Sequence, residues 1–216
     1  MRHGETTRPD LFHGAESDVE LGPAGRLQAA HAAVWLRTHA PQAVYCSTMR
    51  RARQTAAIVS QMLGLPDPIP LPSLHERRMA SLSGRPRSEG WSIYAETRNR
   101  WMAGDLDATH PGGESYRAIA ARVIPTFLEI AQRHPGAAVV VVAHGVVIRV
   151  LLTSLLQDAT PADWERFGID CAAINALDFD GARWTAWLLN ESPTPQPQPA
   201  ELTDPHPPAD FSGDRP

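Results

Sequence analysis

The chain has 216 residues, 43% of them hydrophobic, and a formal net charge of −4 at pH 7, which predicts one domain with a sizeable core. This weak charge excludes a global electrostatic affinity, so neither nucleic acid nor a membrane is an expected partner. The longest apolar run, residues 137–143, is far shorter than the roughly 20 residues of a membrane span, and no secretory signal is visible, which favours a cytoplasmic protein.

The hydrophobic pattern predicts alternating helices and strands. The predicted helices span residues 23–38, 50–63, 91–103, 114–134 and 146–156. The predicted strands span residues 43–46 and 139–143, followed by a closing hairpin of 172–179 and 183–189 around Asp180-Gly181. This order indicates an α/β fold, a three-layer sandwich in which helices flank a mainly parallel sheet.

Two parts of this pattern carry more detailed predictions. The first helix opens at Pro23, and the helical spacing of Leu27, Ala30, Val34 and Arg37 supports it. Residues 65–90 are rich in Pro, Arg and Ser, which is typical of a long functional loop.

The C-terminal segment has a different composition from the rest. Residues 191–216 hold eight of the 20 prolines and few large apolar side chains. Such a segment cannot bury enough surface to offset the entropy lost on ordering. We therefore predict a folded domain over residues 1–190 and a disordered tail over 191–216, with a Pro-rich partner-binding segment as the alternative for the tail.

Missing residue types and pairings restrict the chemistry. All 20 basic residues are arginine, so a Schiff-base lysine, a Walker lysine and a Ser-Lys dyad are excluded. Cys46 and Cys171 form no Cys-x-x-Cys motif and are expected to be reduced thiols. No two of the nine histidines stand in a His-x-x-x-His or His-x-His pair, so the sequence predicts neither a metal site nor a cofactor.

Two strand–helix junctions carry groups suited to binding phosphate. Strand 139–143 ends on His144, and strand 43–46 ends on a segment that includes Arg51. In open α/β sheets, ligands bind beyond the carboxyl ends of the strands, where helix N-termini add free N–H groups and partial positive charge. Arg2 and His3 have the same form of a strand exit. These junctions predict an anion site lined by imidazole and guanidinium groups.

Five motifs follow one another in a familiar order: Arg-His-Gly-Glu-Thr at 2–6, Arg-Ala-x-x-Thr-Ala at 51–56, Leu-x-Glu at 74–76, Pro-Gly-Gly-Glu-Ser at 111–115 and Ala-His-Gly at 143–145. This order resembles the histidine phosphatase superfamily, which includes the cofactor-dependent phosphoglycerate mutases. Further positions of the family pattern are matched by Gly14, Asp18, Leu21, Gly25 and Gln28. Five ordered motifs are far more specific than any single one.

The resemblance implies a role for five residues. His3 would attack phosphorus and carry the phosphoryl group as phosphohistidine, while Arg2 and Arg51 would bind the phosphoryl oxygens. His144 would be the second histidine of the pocket and stabilise the transferring group. Glu76 would donate a proton to the leaving oxygen. The folded domain would then be catalytic and act on a small-molecule phosphate ester without a metal.

These roles agree with the chemistry of phosphoryl transfer, in which positioning and positive charge do most of the work. The planar guanidinium of arginine matches phosphoryl oxygens bidentately. An imidazole titrates at about pH 6.5, so a neutral His3 is available as a nucleophile at pH 7. Glu76 has to be protonated to assist a poor leaving group, a contribution of typically about 10²–10⁴ in rate.

Some positions depart from the mutase pattern. Met79 and Ala80 stand where mutases have Tyr and Gly, and Thr7-Arg8-Pro9 replaces the usual x-Trp-Asn after the first motif. Mutases use that tyrosine against phosphoglycerate, and Pro-Gly-Gly-Glu-Ser is commoner in the phosphatase branch. The sequence therefore favours a phosphomonoesterase over a mutase.

The residues after Glu76 are strongly basic. Residues 77–100 hold six arginines and two glutamates, a local net charge of +4. This segment is either a solvated basic loop or a surface that recognises an anionic part of the substrate, with Arg77 and Arg78 as the candidates. Glu114 either caps the following helix or supports the site from outside the pocket.

The start of the chain is a further departure. In the family a hydrophobic strand precedes Arg-His-Gly and aims the nucleophile, whereas this sequence begins at Met1. We hypothesise that the start is misassigned and that an upstream codon supplies this first strand. The intact mass of the natively expressed protein tests the hypothesis, and a native N-terminus at Met1 would refute it.

The sequence thus predicts a metal-independent phosphatase that hydrolyses a small-molecule phosphomonoester through a phosphohistidine on His3. One alternative is phosphoglycerate mutase-type phosphoryl transfer. Another is an inactive, N-terminally truncated relative that binds phosphorylated ligands. The sequence leaves the substrate and the oligomeric state open.

Overall fold

The computed structural model describes residues 1–193, so the predicted tail lies outside the described residues from residue 194 onwards. The helices are α1 (Pro23–Leu36), α2 (Arg50–Leu63), α3 (Arg87–Met102), α4 (Tyr116–Arg133) and α5 (Gly145–Leu155). The strands are β1 (Val44–Ser47), β2 (Ile69–Leu71), β3 (Val140–Val142), β4 (Ile174–Phe179) and β5 (Trp184–Glu191). Within residues 1–193, no helix has the length and apolar character that crossing a membrane requires.

A parallel sheet lies at the centre of the fold, in the order β2-β1-β3. Tyr45 of β1 pairs with Ile69 on one side and with Val141 on the other. One face of this sheet packs against α1 and α2, and a second core cluster joins α4, α5 and the aromatic side chains Trp101 and Trp164. The α/β fold with helices flanking a parallel sheet is therefore confirmed.

The first three residues connect this sheet to the closing hairpin of β4 and β5. Arg2 forms a parallel bridge with Ala143, just after β3, and its N–H donates to the carbonyl of Ala173, just before β4. The N–H of His3 donates to the carbonyl of Ala143. The Arg-His-Gly motif consequently leaves the sheet at its carboxyl edge, as a strand exit does.

An apolar groove of about 800 Å³ continues from Met1 between β3 and β4. Its lining includes residues 139–141, Phe127, Ile174 and Trp184. The lining thus includes residues of both β3 and β4. The upstream strand hypothesised from the sequence stays a prediction.

The helix predicted from Pro23 is present as α1, but its large apolar side chains do not form its buried face. Leu27 is 63% exposed and Val34 is 55% exposed. The buried stripe consists of small residues, including Ala29, Ala32 and Ala33. This stripe packs against α2, where Ala52 and Ala56 are also buried. Small side chains on both helices let the two axes approach closely, and larger side chains are directed to solvent instead.

The prediction of one long loop over residues 65–90 is wrong in part. β2 forms within it, because its three residues find a parallel partner in β1. Short 3₁₀ turns occupy Pro72–Leu74 and Ala80–Leu82, and α3 already begins at Arg87. A strand of three residues is too short to show a period in the sequence, so only its tertiary partner identifies it.

Candidate active site

His3 lies at the carboxyl edge of the sheet and is 5% exposed. Its Nδ1 is 2.7 Å from the carbonyl oxygen of Gly4, and its Nε2 is 3.2 Å from Nε of Arg51. A carbonyl oxygen only accepts a hydrogen bond and a guanidinium only donates one, so the imidazole proton sits on Nδ1. The lone pair of Nε2 therefore points to the guanidinium, where an anion would bind.

Side chains from α1 and α2 hold the backbone after His3. The N–H of Gly4 donates to Oγ1 of Thr55, and the N–H of Glu5 donates to Oε1 of Gln28. The backbone also passes directly over Gly25, since a Cβ built there would lie 2.0 Å from the carbonyl oxygen of Glu5. Gly25 thus permits a close approach that no side chain would allow.

Gly25→Ala should destabilise the protein by about 1–3 kcal/mol, because the new methyl group forces the Glu5 backbone away from α1. The free energy of unfolding in urea measures this. Gly22→Ala is the control, since its Cβ would come no nearer than 3.2 Å to the carbonyl oxygen of Thr6, and it should cost less. Equal stability of Gly25→Ala and the unaltered protein would contradict the tight contact.

Arg51 opens the first turn of α2 and is fully buried. Its Nη1 donates to the carbonyl of Ser17 and its Nη2 to the carbonyl of His13. Burial lowers the pKa of Arg51 to about 10, and the charge of Glu76 partly opposes this. The guanidinium is therefore a fixed cation at neutral pH, oriented by main-chain carbonyls with its Nε against His3.

His144 is the residue at the N-cap position of α5, and its ring centroid is 5.1 Å from that of His3. Its Nε2 lies 2.8 Å from the Oγ of Ser47 at the end of β1. Within residues 1–193, its buried Nδ1 has no hydrogen-bond partner. Sequence reasoning did not single out Ser47, although its place at the carboxyl end of a buried strand was a usable signal.

Glu76 follows the 3₁₀ turn Pro72–Leu74 and is 7% exposed. Its Oε1 accepts the N–H of Arg77, and its Oε2 accepts the N–H of Val146 in the first turn of α5. The carboxyl group thus lies beside the helix that follows His144, and its charge acts on Arg51. The structure brings Glu76 into the same pocket as the two histidines.

Arg2 is the second guanidinium of the pocket. Its Nη1 donates to the carbonyl of Ile169, and its buried Nε has no hydrogen-bond partner in the part of the chain that the structure describes. After burial and Arg51, the charge of Arg2 also contributes to lowering the pKa of His3. Arg2 therefore adds positive potential where a phosphoryl group would lie.

Arg77 and Arg78 have opposite environments. Arg77 is fully buried, donates from Nε to the carbonyl of Glu114 and lies 4.5 Å from the ring centroid of Trp101. Its Nη1 has no partner among residues 1–193. Arg78 is exposed. Of the two candidates for substrate recognition, Arg77 is therefore the one whose guanidinium is held in place by other residues.

Burial, followed by the charge of Arg51, lowers the pKa of His3 and of His144 well below 6.5. Below pH 6.5 the unfolded chain therefore binds protons that the folded protein does not bind. The free energy of unfolding consequently decreases as the pH is lowered. We expect a loss of about 1.4 kcal/mol per pH unit for each histidine until its folded pKa is reached. Urea denaturation from about pH 7.5 down to 5 measures the slope.

His3→Asn should remove one histidine's share of this slope. An unchanged slope in His3→Asn would contradict the low pKa of His3.

Two adjacent histidines with low pKa values, a buried arginine and a carboxyl group meet at helix N-termini on the carboxyl edge of a parallel sheet. This combination defines a pocket for an anion with several oxygens, such as a phosphoryl group. Among residues 1–193, no three His, Cys, Asp or Glu side chains are grouped so that they would hold a metal ion.

The family model of the histidine phosphatase superfamily (branch 1) matches residues 1–192. The chain therefore belongs to this superfamily, as the order of its motifs predicts.

Similar proteins include phosphatases and mutases. A metal-independent phosphoserine phosphatase of Arabidopsis thaliana is 34% identical over 188 residues, which cover 85% of this chain and 76% of that protein. A 2,3-bisphosphoglycerate-dependent phosphoglycerate mutase of Cytophaga hutchinsonii is 32% identical over 185 residues, or 83% of this chain and 85% of that protein.

Solved structures show the same fold. A mycobacterial glucosyl-3-phosphoglycerate phosphatase in complex with VO3 has a TM-score of 0.77 at 29% identity, covering 88% of this chain and 96% of that one. An alpha-ribazole phosphatase from Shigella flexneri has a TM-score of 0.73 at 25% identity, covering 89% of this chain and 95% of that one.

Proposed function

We propose that this protein is a phosphatase that hydrolyses a small-molecule phosphomonoester, with His3 as the nucleophile that carries the phosphoryl group. The observation that carries the proposal is the orientation of His3, whose Nε2 lone pair faces the buried guanidinium of Arg51. Its low pKa keeps the imidazole neutral and nucleophilic at pH 7.

In the first step, Nε2 of His3 attacks phosphorus and the bond between phosphorus and the ester oxygen breaks. Arg51 and Arg2 bind the equatorial oxygens, on which negative charge is spread in the transition state. Nδ1 of His144, which has no hydrogen-bond partner among the described residues, is available to another phosphoryl oxygen. Glu76 gives its proton to the leaving alkoxide, and the alcohol departs.

In the second step, a water molecule attacks the phosphohistidine. The carboxylate of Glu76, now without its proton, takes the proton of that water, and the bond between phosphorus and Nε2 breaks. Inorganic phosphate leaves, and both His3 and Glu76 return to their starting states. One carboxyl group thus serves as acid and then as base.

The environment of Met79 supports phosphatase rather than mutase activity. Met79 is 3% exposed and packs with Phe12 and Leu82 in a small apolar cluster. The position that carries a tyrosine in mutases therefore contributes no hydroxyl group to the site.

A proton donor in the pocket suits a substrate with a poor leaving group, such as an alkoxide. Three of the four similar proteins described above are phosphatases, named for phosphoserine, glucosyl-3-phosphoglycerate and alpha-ribazole. We infer a substrate of the same kind, a small phosphate ester of an aliphatic alcohol. A cytoplasmic location stays a prediction from the sequence.

The test is hydrolysis of p-nitrophenyl phosphate and of a panel of phosphorylated metabolites, with and without a chelator. We expect phosphate release that the chelator leaves unchanged. Conversion of 3- to 2-phosphoglycerate would instead reveal a mutase. Absence of hydrolysis, both in this chain and in an N-terminally extended form, would favour a protein that only binds phosphorylated ligands.

A further inference from the structure

Glu76 lies on a segment without regular structure, between the 3₁₀ turns Pro72–Leu74 and Ala80–Leu82. Such segments are mobile unless other groups hold them. A general acid, by contrast, must be held within about 0.5 Å of its productive position. Contacts from outside the pocket therefore have to place the carboxyl group of Glu76.

Arg122, in the middle of α4, makes contacts along this segment. Its Nη1 donates to the carbonyl of Ser73 at 2.6 Å and to that of His75 at 2.8 Å. Its Nη2 lies 3.5 Å from the carbonyl of Glu76 itself. One guanidinium thus binds three main-chain carbonyls that lead up to and include Glu76.

Glu114 holds the same segment from its other side. Its carboxylate binds Nε and Nη2 of Arg122 at 2.7 and 2.9 Å, a bidentate pair. Its Oε2 also accepts the N–H of Arg78. Its main chain exchanges further hydrogen bonds, since its N–H donates to the carbonyl of Arg78 and its carbonyl accepts Nε of Arg77.

The pair is shielded from water, unlike the exposed ion pairs of the surface. The side chain of Arg122 is 17% exposed and that of Glu114 is 11% exposed. Burial alone raises the pKa of Glu114, but the hydrogen bonds from Arg122 and Arg78 outweigh it and hold the pKa below its ordinary value. The carboxyl group of Glu114 is consequently ionised at neutral pH.

Glu114 does not cap α4, which resolves the alternative that its motif left open. The N-cap of α4 is Ser115, whose side chain accepts the N–H of Ala118. The carboxylate of Glu114 is directed to Arg122 and to the backbone after Glu76 instead.

We propose that the ion pair of Glu114 and Arg122 is a positioning device that holds the proton donor Glu76 at the phosphoryl pocket. The proposal rests on the proposed function, because it gives the pair a task only if Glu76 protonates the leaving group. Glu114 and Arg122 act through the backbone of residues 73–78 and not by contact with the substrate.

Glu114→Gln keeps the shape of the side chain and removes its charge. It should lower kcat/KM for an alkyl phosphate by about 10-fold or more, part of the 10²–10⁴ that a general acid supplies. It should leave kcat/KM for p-nitrophenyl phosphate within about 3-fold, because p-nitrophenolate departs without a proton and needs no acid. The later attack of water, in which Glu76 acts as a base, affects kcat but not this ratio. Glu76→Gln should show the same selectivity in stronger form.

Arg122→Lys is the second variant, because it keeps the charge and loses the planar fork. It should show the same preference for the good leaving group. Glu129→Gln is the matched control, since Glu129 forms an exposed ion pair with Arg133 on the same helix. Glu129→Gln should leave kcat/KM unchanged for both substrates. Thermal unfolding identifies a variant that loses activity only by unfolding.

Hydrogen exchange gives a readout that does not depend on activity. In Glu114→Gln the amides of residues 73–78 should exchange faster, while those of β1 and β3 stay unchanged. Unaltered exchange in residues 73–78 overturns the proposal. Equal losses of kcat/KM on both substrates in a folded Glu114→Gln overturn it as well. The proposed function, by contrast, fails if the unaltered protein hydrolyses neither substrate.

Discussion

His3→Ala should lower phosphatase turnover by about 10⁴-fold or more, the order that removal of a nucleophile costs in other enzymes. The reason is that Nε2 of His3, the proposed attacking atom, lies against Nε of Arg51, where the phosphoryl group would bind. The variant should also lose acid-labile labelling by a radioactive phosphodonor, since a phosphoramidate forms only on the imidazole. Steady-state kinetics and labelling of the denatured protein measure the two effects.

His39→Ala is the matched control. His39 is exposed and lies before β1, at the end of the sheet opposite the pocket. Its replacement should leave turnover and labelling intact. Full activity of His3→Ala would refute the phosphohistidine mechanism.

Arg51→Lys should lower kcat/KM by about 10²–10³-fold, although the positive charge is retained. An ammonium group cannot donate in the fixed directions in which Arg51 binds Ser17, His13 and His3. The phosphoryl oxygens would then lose a bidentate, oriented partner. The value of kcat/KM for p-nitrophenyl phosphate measures the effect, because release of p-nitrophenolate does not need the proton of Glu76.

Arg53→Lys tests the same substitution two residues further along α2, at an exposed position. We expect kinetics close to those of the unaltered protein. If Arg51→Lys also left kcat/KM unchanged, the positive charge alone would account for the role of Arg51, and the orienting contacts would be irrelevant.

Three of the candidate site residues could be predicted from the sequence because they stand where a strand ends. His144 follows β3, Arg51 opens the helix after β1, and His3 leaves the sheet beside Ala143. Parallel strands bring their carboxyl ends to one edge, so positions far apart in the chain converge without any further information. The order of the motifs was then enough to identify the superfamily.

Other features depend on partners that are distant in the sequence. In α1, two stripes have helical spacing, and the smaller one is buried because α2 also offers alanines there. Similarly, β2 exists because β1 supplies its hydrogen bonds. A periodic pattern in the sequence favours the more hydrophobic stripe as the buried one. Where two helices approach closely, however, the stripe with the smaller side chains is buried.

By itself, the sequence determined the alternation of helices and strands, the superfamily and the candidate residues of the pocket. Only the tertiary structure decided how those residues are held. The sequence does not show that Ser47 contacts His144, that Gly25 lies against Glu5, or that Arg122 binds the carbonyl before Glu76. The physical reason is that these hydrogen bonds and close contacts join segments that are distant in the sequence. Such segments become neighbours only when the chain folds.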